Sequence, residues 1–130
     1  MSDQHAAELP DRMTGGEFRM VREHLGLTAE WVAQRLGVHL RTVRRWEHGH
    51  SPIPDGVREQ MEAWEDDAAR AVTRYVDALM DAPEPAVVLA RDDEGGLPEW
   101  PARWQRHVVA RVAQEVPGLV VGYRDELERR

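Results

Sequence analysis

The chain has 130 residues, no cysteine and a formal net charge of −7. This length allows one domain, or a small domain with an oligomerisation element, and the lack of cysteine excludes disulfides and thiolate metal sites. Because no apolar run approaches ~18 residues and the first residues lack a signal-peptide pattern, we expect a cytoplasmic protein without a membrane span.

The first predicted helix begins after a tail. Residues 1–13 have no hydrophobic periodicity and are expected to form a loose N-terminal tail. Thr14 and Glu17 have the spacing of a capping box, in which each side chain bonds the backbone amide of the other residue. An apolar stripe with helical spacing follows, and Gly26 ends it; the stripe consists of Phe18, Val21 and Leu25.

Two short helical patterns follow between residues 27 and 54, separated by a glycine turn. Thr28 can cap the first pattern, and Gly37 lies where a tight exit requires a positive φ. Val38 then returns to the core. The buried face of the first pattern is formed by Val32, Ala33 and Leu36.

The second pattern has one apolar and one basic face. Val43 and Trp46 are three residues apart and can face inward, and the opposite face is formed by Arg41, Arg44, Arg45 and His48. Arginine bonds bidentately to guanine and also neutralises phosphate. We favour Arg44 and Arg45 for base edges and Arg41 for either role.

This segment resembles the Xre/Cro/C1-type helix-turn-helix family of bacterial and phage repressors. The resemblance implies a lambda-repressor-like domain whose second helix enters the major groove of double-stranded DNA. His39 departs from the family pattern, which has a serine as the cap of the reading helix, so we expect a weaker cap. The DNA-binding residues implied are Thr28, His39, Leu40, Arg41, Thr42, Arg44, Arg45 and His48. The resemblance is carried by Leu27, Thr28, Ala33, Leu36, Gly37, Val38, Thr42, Val43, Trp46, Glu47, Gly49 and the exit at residues 52–54.

The charge distribution agrees with a polyanionic partner for this segment alone. Residues 1–11 hold three acids and no base; residues 12–54 hold seven arginines against four glutamates, a net charge of +3. Residues 55–130 hold ten arginines against seventeen acids, a net charge of −7. The acidic remainder should weaken non-specific DNA attraction and leave more of the discrimination to base contacts.

A long amphipathic helix is predicted next, from about Asp55, its cap, to Met80. Its first half should close the core of the DNA-reading part. Its second half needs another surface, either the C-terminal part of the same chain or a partner helix. The apolar positions are Val57, Met61, Trp64, Ala68, Ala71, Val72, Tyr75, Val76 and Leu79.

The C-terminal part predicts a small α+β unit. Pro83 and Pro85 mark a boundary. The sequence predicts a strand at residues 86–90, a turn at residues 92–96 and a second strand at residues 119–123. Between the turn and the second strand, Pro101 is predicted to lie in the first turn of a helix. A charged tail is predicted from Arg124. The chain is thus predicted to be mainly α, with a tail at 1–13, a DNA-binding domain at 14–81 and a dimerisation domain at 82–130.

Two strands form an incomplete sheet, so we predict a homodimer in which a sheet is shared across the two-fold axis. The residues expected at the dimer interface are Tyr75, Leu79, Val87, Leu89, Trp104, Val108, Val120 and Tyr123. The whole arrangement is similar to two-part phage and mobile-element autorepressors, of which the anti-CRISPR-associated repressors are one group. That resemblance implies a repressor that binds an inverted repeat, often at its own operon.

Two other functions stay open. The C-terminal part could bind a toxin, as in an antitoxin that represses a shared operon, or the chain could be a protein-interaction adaptor without DNA binding. His48, His50 and Asp55 follow no recognised ligand pattern, so we expect no metal site. We find no cofactor fingerprint and no nucleophile–base motif, and therefore expect neither a cofactor nor an enzyme.

Overall fold

The computed structural model describes residues 12–93 and 99–129. Their contacts divide them into two units. The first unit comprises the described residues up to Glu23 together with Thr28–Ala63. The second unit comprises His24–Leu27 together with the described residues from Trp64 onward. The mainly helical fold predicted from the sequence is confirmed. In chain order the elements are α1 (Gly15–His24), α2 (Ala29–Leu36), α3 (Leu40–Glu47), α4 (Asp55–Leu79), β1 (Ala86–Leu89), α5 (Ala102–Glu115), β2 (Val120–Tyr123) and α6 (Arg124–Glu128).

The predicted capping box starts α1. The Thr14 amide donates to Glu17 Oε1 at 3.0 Å, and the Glu17 amide donates to Thr14 Oγ1 at 3.1 Å. The pKa of the Glu17 carboxyl lies below its ordinary value. The hydrogen bond with the Thr14 backbone has the largest lowering effect, and the bond with the Thr14 side chain has the next largest. Two otherwise unpaired amides at the start of α1 are thereby satisfied.

Both predicted ends of α2 are confirmed. Thr28 Oγ1 accepts the Trp31 amide at 3.0 Å at the start of the helix. At its end Gly37 has φ 68°, and the Val38 amide donates to Ala33 O at 3.0 Å. Glycine adopts this left-handed conformation without the steric cost of a Cβ atom, which allows the chain to turn directly into α3.

The core of the first unit lies beneath α3. Val43 and Trp46 have 0% and 4% exposure, as their spacing predicted. The Trp46 ring meets Phe18 edge-on, with ring centroids 5.7 Å apart. Each large apolar side chain buried in this way contributes roughly 1.5–3 kcal/mol of transfer free energy, so this small core fixes the orientation of α3. It is completed by Val21, Val32, Ala33, Ile53 and Met61.

Helix α4 has the predicted extent, but Asp55 is not its cap. The Pro54 carbonyl accepts the amides of Val57 and Arg58, so Asp55 lies within the first turn. The contact division falls inside this helix: residues through Ala63 belong to the first unit and the remainder to the second. Of the two surfaces expected for its second half, the same chain covers part of the apolar stripe, because Ala68, Ala71 and Val72 are buried in the single chain. A partner helix stays a prediction.

The second unit contains the predicted strand–helix–strand. Strands β1 and β2 are parallel, with Ala86 opposite Val120 and Leu89 opposite Tyr123. Helix α5 contributes a buried face of Trp104, Val108, Val109 and Val112.

The predicted charged tail was wrong in one respect. Residues 124–128 form α6, and the Tyr123 amide at its start donates to Glu126 Oε1 at 2.9 Å. The Glu126 carboxylate, in the first turn, thus caps the start of this helix.

Two predictions fall partly outside the described residues: the tail at 1–13, of which residues 1–11 are outside, and the turn at 92–96, of which residues 94–96 are outside. Met13, which the sequence placed in the tail, is buried. Within the described ranges, none of the helices is both long enough and apolar enough to cross a bilayer.

Candidate nucleic-acid interface

The outer face of α3 is basic and exposed. Arg41, Arg44 and Arg45 are all exposed on this eight-residue helix, while Val43 and Trp46 are buried on the opposite side. The helical spacing of the sequence therefore separates the guanidinium groups from the core, as predicted. A short helix with one anchored face and one basic face has the shape and charge needed to enter a DNA groove.

The three arginines are only lightly engaged by the rest of the chain. Arg45 Nε donates to Ser51 Oγ at 3.0 Å. Arg44 Nη2 lies 3.5 Å from Glu30 Oε1, and both of these side chains are more than half exposed. Arg41 has no hydrogen-bond or ion-pair partner in the described part of the chain. Exposed pairs of this kind contribute little free energy, so DNA can compete for these groups.

A largely buried ion pair braces α3 from behind. Arg22 on α1 donates to Glu47 through Nε at 2.9 Å and through Nη2 at 2.8 Å. The two side chains are only 13% and 8% exposed. Bidentate pairs of arginine and carboxylate combine strong hydrogen bonds with a fixed geometry. The last residue of α3 is thus held to α1 by two charge-assisted bonds.

Sequence reasoning missed this brace. Glu47 is one of the residues that carry the family resemblance, and Arg22 belongs to no sequence motif. The two residues are 25 positions apart in different helices, so no local spacing connects them. Both are charged, and a charged residue on a helix is ordinarily exposed.

A glycine allows α1 and α3 to approach closely. A Cβ atom on Gly15 would overlap Trp46 O and would lie 2.9 Å from Glu47 O. Both neighbours are backbone atoms, so they cannot move aside without displacing the end of α3. The first residue of α1 therefore needs to be glycine, a requirement that its position between Thr14 and Glu17 in the sequence does not predict.

The other predicted DNA-binding residues surround this face. Thr28 is half-buried and uses its hydroxyl to cap α2. His39 is exposed at the start of α3 and makes no side-chain cap bond, which confirms the weaker cap expected there. Leu40 and Thr42 are half-buried, and His48 is exposed at the end of α3. The contact between Glu30 and Arg44 brings the start of α2 beside the basic face.

The predicted dimer residues divide into two groups. Val87, Trp104 and Val108 are buried within the second unit, where they belong to the core of a single chain. The others are partly accessible in the single chain: Tyr75, Leu79, Leu89, Val120 and Tyr123. A partner could reach only this second group without repacking the unit. Across residues 12–93 and 99–129, no three potential metal ligands among His, Asp and Glu are grouped together.

Comparison with known families identifies the segment that carries the basic face. A family model described as a helix-turn-helix domain matches residues 15–84, more than half of the chain. The match begins with α1 and extends past the end of α4, so it includes α3 and its brace. A comparison with curated proteins gives no match. The family match supports the prediction that the chain is a DNA-binding regulator.

Proposed function

Because this chain belongs to the helix-turn-helix domain family, we propose that it is a sequence-specific repressor that binds double-stranded DNA as a homodimer. Its operator is an inverted repeat, and the promoter that it occupies is that of its own operon. The observation that carries the proposal is the exposed basic face of α3 on a helix whose other side is anchored. Within the family we assign it to the Xre/Cro/C1 type, and we assign it no catalytic activity and no cofactor.

Recognition depends on α3 lying in the major groove. We assign Arg44 and Arg45 to the O6 and N7 atoms of guanine, and Arg41 to a phosphate or a base. Release of Arg44 from Glu30 costs little because the pair is exposed and long. The acidic remainder of the chain lowers non-specific affinity, so base contacts determine where the protein binds.

The brace supports specificity by fixing the reading helix. Base discrimination requires guanidinium groups to be held within a fraction of an ångström of the base edges. The two bonds between Arg22 and Glu47 and the close approach at Gly15 both restrain the C-terminal end of α3. Repression then follows from steric occupation of a promoter.

The homodimer is proposed from the two edges of the small sheet. The edge of β1 is occupied by Gln105, whose Nε2 donates to Val88 O at 3.3 Å and whose Oε1 accepts the Ala90 amide at 2.9 Å. In β2 the Val120 amide donates to Pro85 O, towards β1. Since peptide groups alternate along a strand, Val121 directs its amide and carbonyl to the outer edge.

We place β2 of a second copy antiparallel to this edge and centred on Val121, because the outward amides of Leu119 and Tyr123 already donate to Val116 O and Glu126 Oε1. A two-fold axis there pairs the strand with itself and produces a four-stranded sheet, which is stable where two strands alone are marginal. Val121 is 39% exposed and would become covered in the dimer. The half-sites of the operator should then lie about one helical turn apart, ~10 bp centre to centre, or a multiple of that.

Selection of bound duplexes from a random pool tests the function. We expect an enriched inverted repeat whose half-sites contain guanine at the positions that Arg44 and Arg45 reach. A pool without any enriched sequence would refute sequence-specific binding. Enrichment of a single half-site without symmetry would refute the homodimer on DNA while leaving the reading helix intact.

Proline substitution on each strand tests the dimer edge. Val121→Pro removes the outward amide of β2 and should convert the dimer to a monomer on light scattering. Val88→Pro is the matched control, because Val88 is equally exposed at 40% but lies on the strand that Gln105 covers. Equal loss of the dimer in both variants, or in neither, would exclude β2 as the interface.

A further inference from the structure

A second basic surface lies on α5, far along the chain from α3. Arg103, Arg106, His107 and Arg111 recur at helical spacing on one face of this helix. We call this set the α5 basic face. The opposite side of the helix is buried through Trp104, Val108 and Val112. The basic side chains are therefore held on the outside of a well-anchored helix.

Within the described residues these arginines have no carboxylate partner, although residues 55–130 as a whole hold seventeen acids. In the described residues neither Arg103, Arg106 nor Arg111 forms an ion pair, and Arg106 only donates to the Arg91 carbonyl, at 3.4 Å. Other arginines of the same unit do find acids: Arg70, Arg91 and Arg129 pair with Asp67 or Asp125. Clustered, unpaired guanidinium groups create a local positive potential within a net-acidic segment.

The turn between α1 and α2 borders the α5 basic face. His107 Nδ1 lies 2.9 Å from His24 O, and a Cβ atom on Gly26 would lie 2.7 Å from Arg103 O. Because Gly26 has no Cβ atom, the turn can approach the helix backbone this closely, and its φ of 68° also favours glycine. The turn and the helix enclose a groove of about 380 Å³ without any acidic residue among its described walls, which are His24, Arg103, Arg106, His107, Ala110 and Arg111.

We propose that the α5 basic face binds the phosphate backbone of DNA without reading its sequence. This inference rests on the proposed function, since it adds a second contact to the same operator. From Arg103 to Arg111 the helix rises by about 12 Å, which matches the axial rise of three to four nucleotides of one strand. Guanidinium groups bond phosphate oxygens bidentately, so three of them along this length can follow a backbone.

The composition of the groove favours phosphate over an acidic protein partner. Protein interfaces are usually anchored by buried aromatic or aliphatic side chains at their centre. Here Ala110 is the only apolar residue among the described walls of the groove. A surface with charge and without an apolar anchor suits a uniformly charged polymer.

The salt dependence of DNA affinity tests the proposal with full-length protein. Each phosphate contact contributes about 0.9 to the slope of log K against log salt concentration. The triple variant Arg103→Gln, Arg106→Gln, Arg111→Gln should reduce this slope by about 2 to 3 on the selected operator, with base preference unchanged. The matched control Arg70→Gln, Arg91→Gln, Arg129→Gln removes the same charge from the same unit but from ion-paired positions, and should leave the slope nearly unchanged.

Each outcome decides the proposal. An unchanged slope in the triple variant, or an equal reduction in both triple variants, would overturn the proposal for the α5 basic face. The reading helix α3 is tested separately by Arg44→Ala. If wild-type protein binds no DNA, the proposed function fails as well. Should the triple variant unfold on circular dichroism, Arg106→Gln and Arg111→Gln are measured singly, each with an expected slope change of about 1; no change in either single variant would also overturn the proposal.

Discussion

Helices α3 and α5 each carry three arginines on the side opposite a buried apolar face, but their lengths and surroundings differ. Helix α3 has eight residues and follows a left-handed glycine, and an ion pair and a backbone contact fix its C-terminal end. Helix α5 has fourteen residues and borders a basic groove. We therefore expect the charge on α5 to attract DNA without reading its sequence, and the short, fixed helix α3 to read bases.

Loss of the brace between Arg22 and Glu47 should have the largest effect on the free energy of unfolding. Glu47→Gln leaves the Arg22 guanidinium largely buried without its counter-charge, and we expect unfolding free energy to fall by about 3 kcal/mol. Chemical denaturation measures the change. Glu23→Gln is the control, because Glu23 pairs with Arg19 at a site where both side chains are more than half exposed. Similar small losses in both variants would show that the buried pair stabilises the fold no more than the exposed pair does.

Gly15→Ala should have the second-largest effect on stability. Its Cβ would overlap Trp46 O, and we expect a loss of about 1–3 kcal/mol together with weaker operator binding, because α3 must shift. Gly16→Ala is a direct control: the nearest atom to its Cβ is Thr14 Oγ1 at 4.0 Å. Alanine at that position should stabilise α1 by about 0.5–1 kcal/mol. Equal thermal stability of the two variants would contradict the close approach.

A better cap on α3 should have a moderate and favourable effect. His39 has the extended backbone of a cap residue but makes no side-chain cap bond. His39→Ser supplies a hydroxyl that can accept an amide of the first turn, with an expected gain of about 1 kcal/mol in unfolding free energy. Thermal denaturation at one protein concentration measures it. His39→Ala is the control and should give no gain; a serine variant no more stable than the alanine variant would refute the cap.

Removal of the acid beside Arg44 should have the smallest effect on stability and a visible effect on binding. Glu30→Gln breaks an exposed contact at 3.5 Å, so we expect stability to change by less than about 0.5 kcal/mol. DNA affinity should rise, because the acid competes for Arg44 and repels phosphate. Glu62→Gln removes an equal charge from an exposed pair with Arg58 and is the control. Weaker binding of the Glu30 variant would mean that the contact positions Arg44 for the base.

Local chemistry made much of the N-terminal part predictable. The capping box at Thr14, the cap at Thr28 and the positive φ of Gly37 each follow from one residue type at one position. The separation of Val43 and Trp46 from the arginines follows from helical periodicity. These features depend on residues within a few positions of one another, which sequence patterns record.

Contacts between distant residues were not predictable. Arg22 and Glu47 are 25 residues apart, and Gln105 is 15 to 17 residues from the strand edge that it covers. Long-range pairs leave no periodic signal, and a polar residue on a helix looks like an ordinary surface residue. The burial of Val87, Trp104 and Val108 within one chain was equally hidden, because an apolar face does not reveal whether it meets its own chain or a partner.

The most direct test of the reading helix compares Arg44→Ala and Arg45→Ala with wild type on the selected operator and on its single-base variants. Arg70→Ala is the control, because the side chains of Arg70 and Arg44 are 62% and 58% exposed. We expect each of the first two substitutions to weaken binding by ~1–3 kcal/mol and to relax discrimination at one base pair per half-site, with no such change for Arg70. Full affinity and full discrimination in both folded variants would contradict the assignment of α3 as the reading helix.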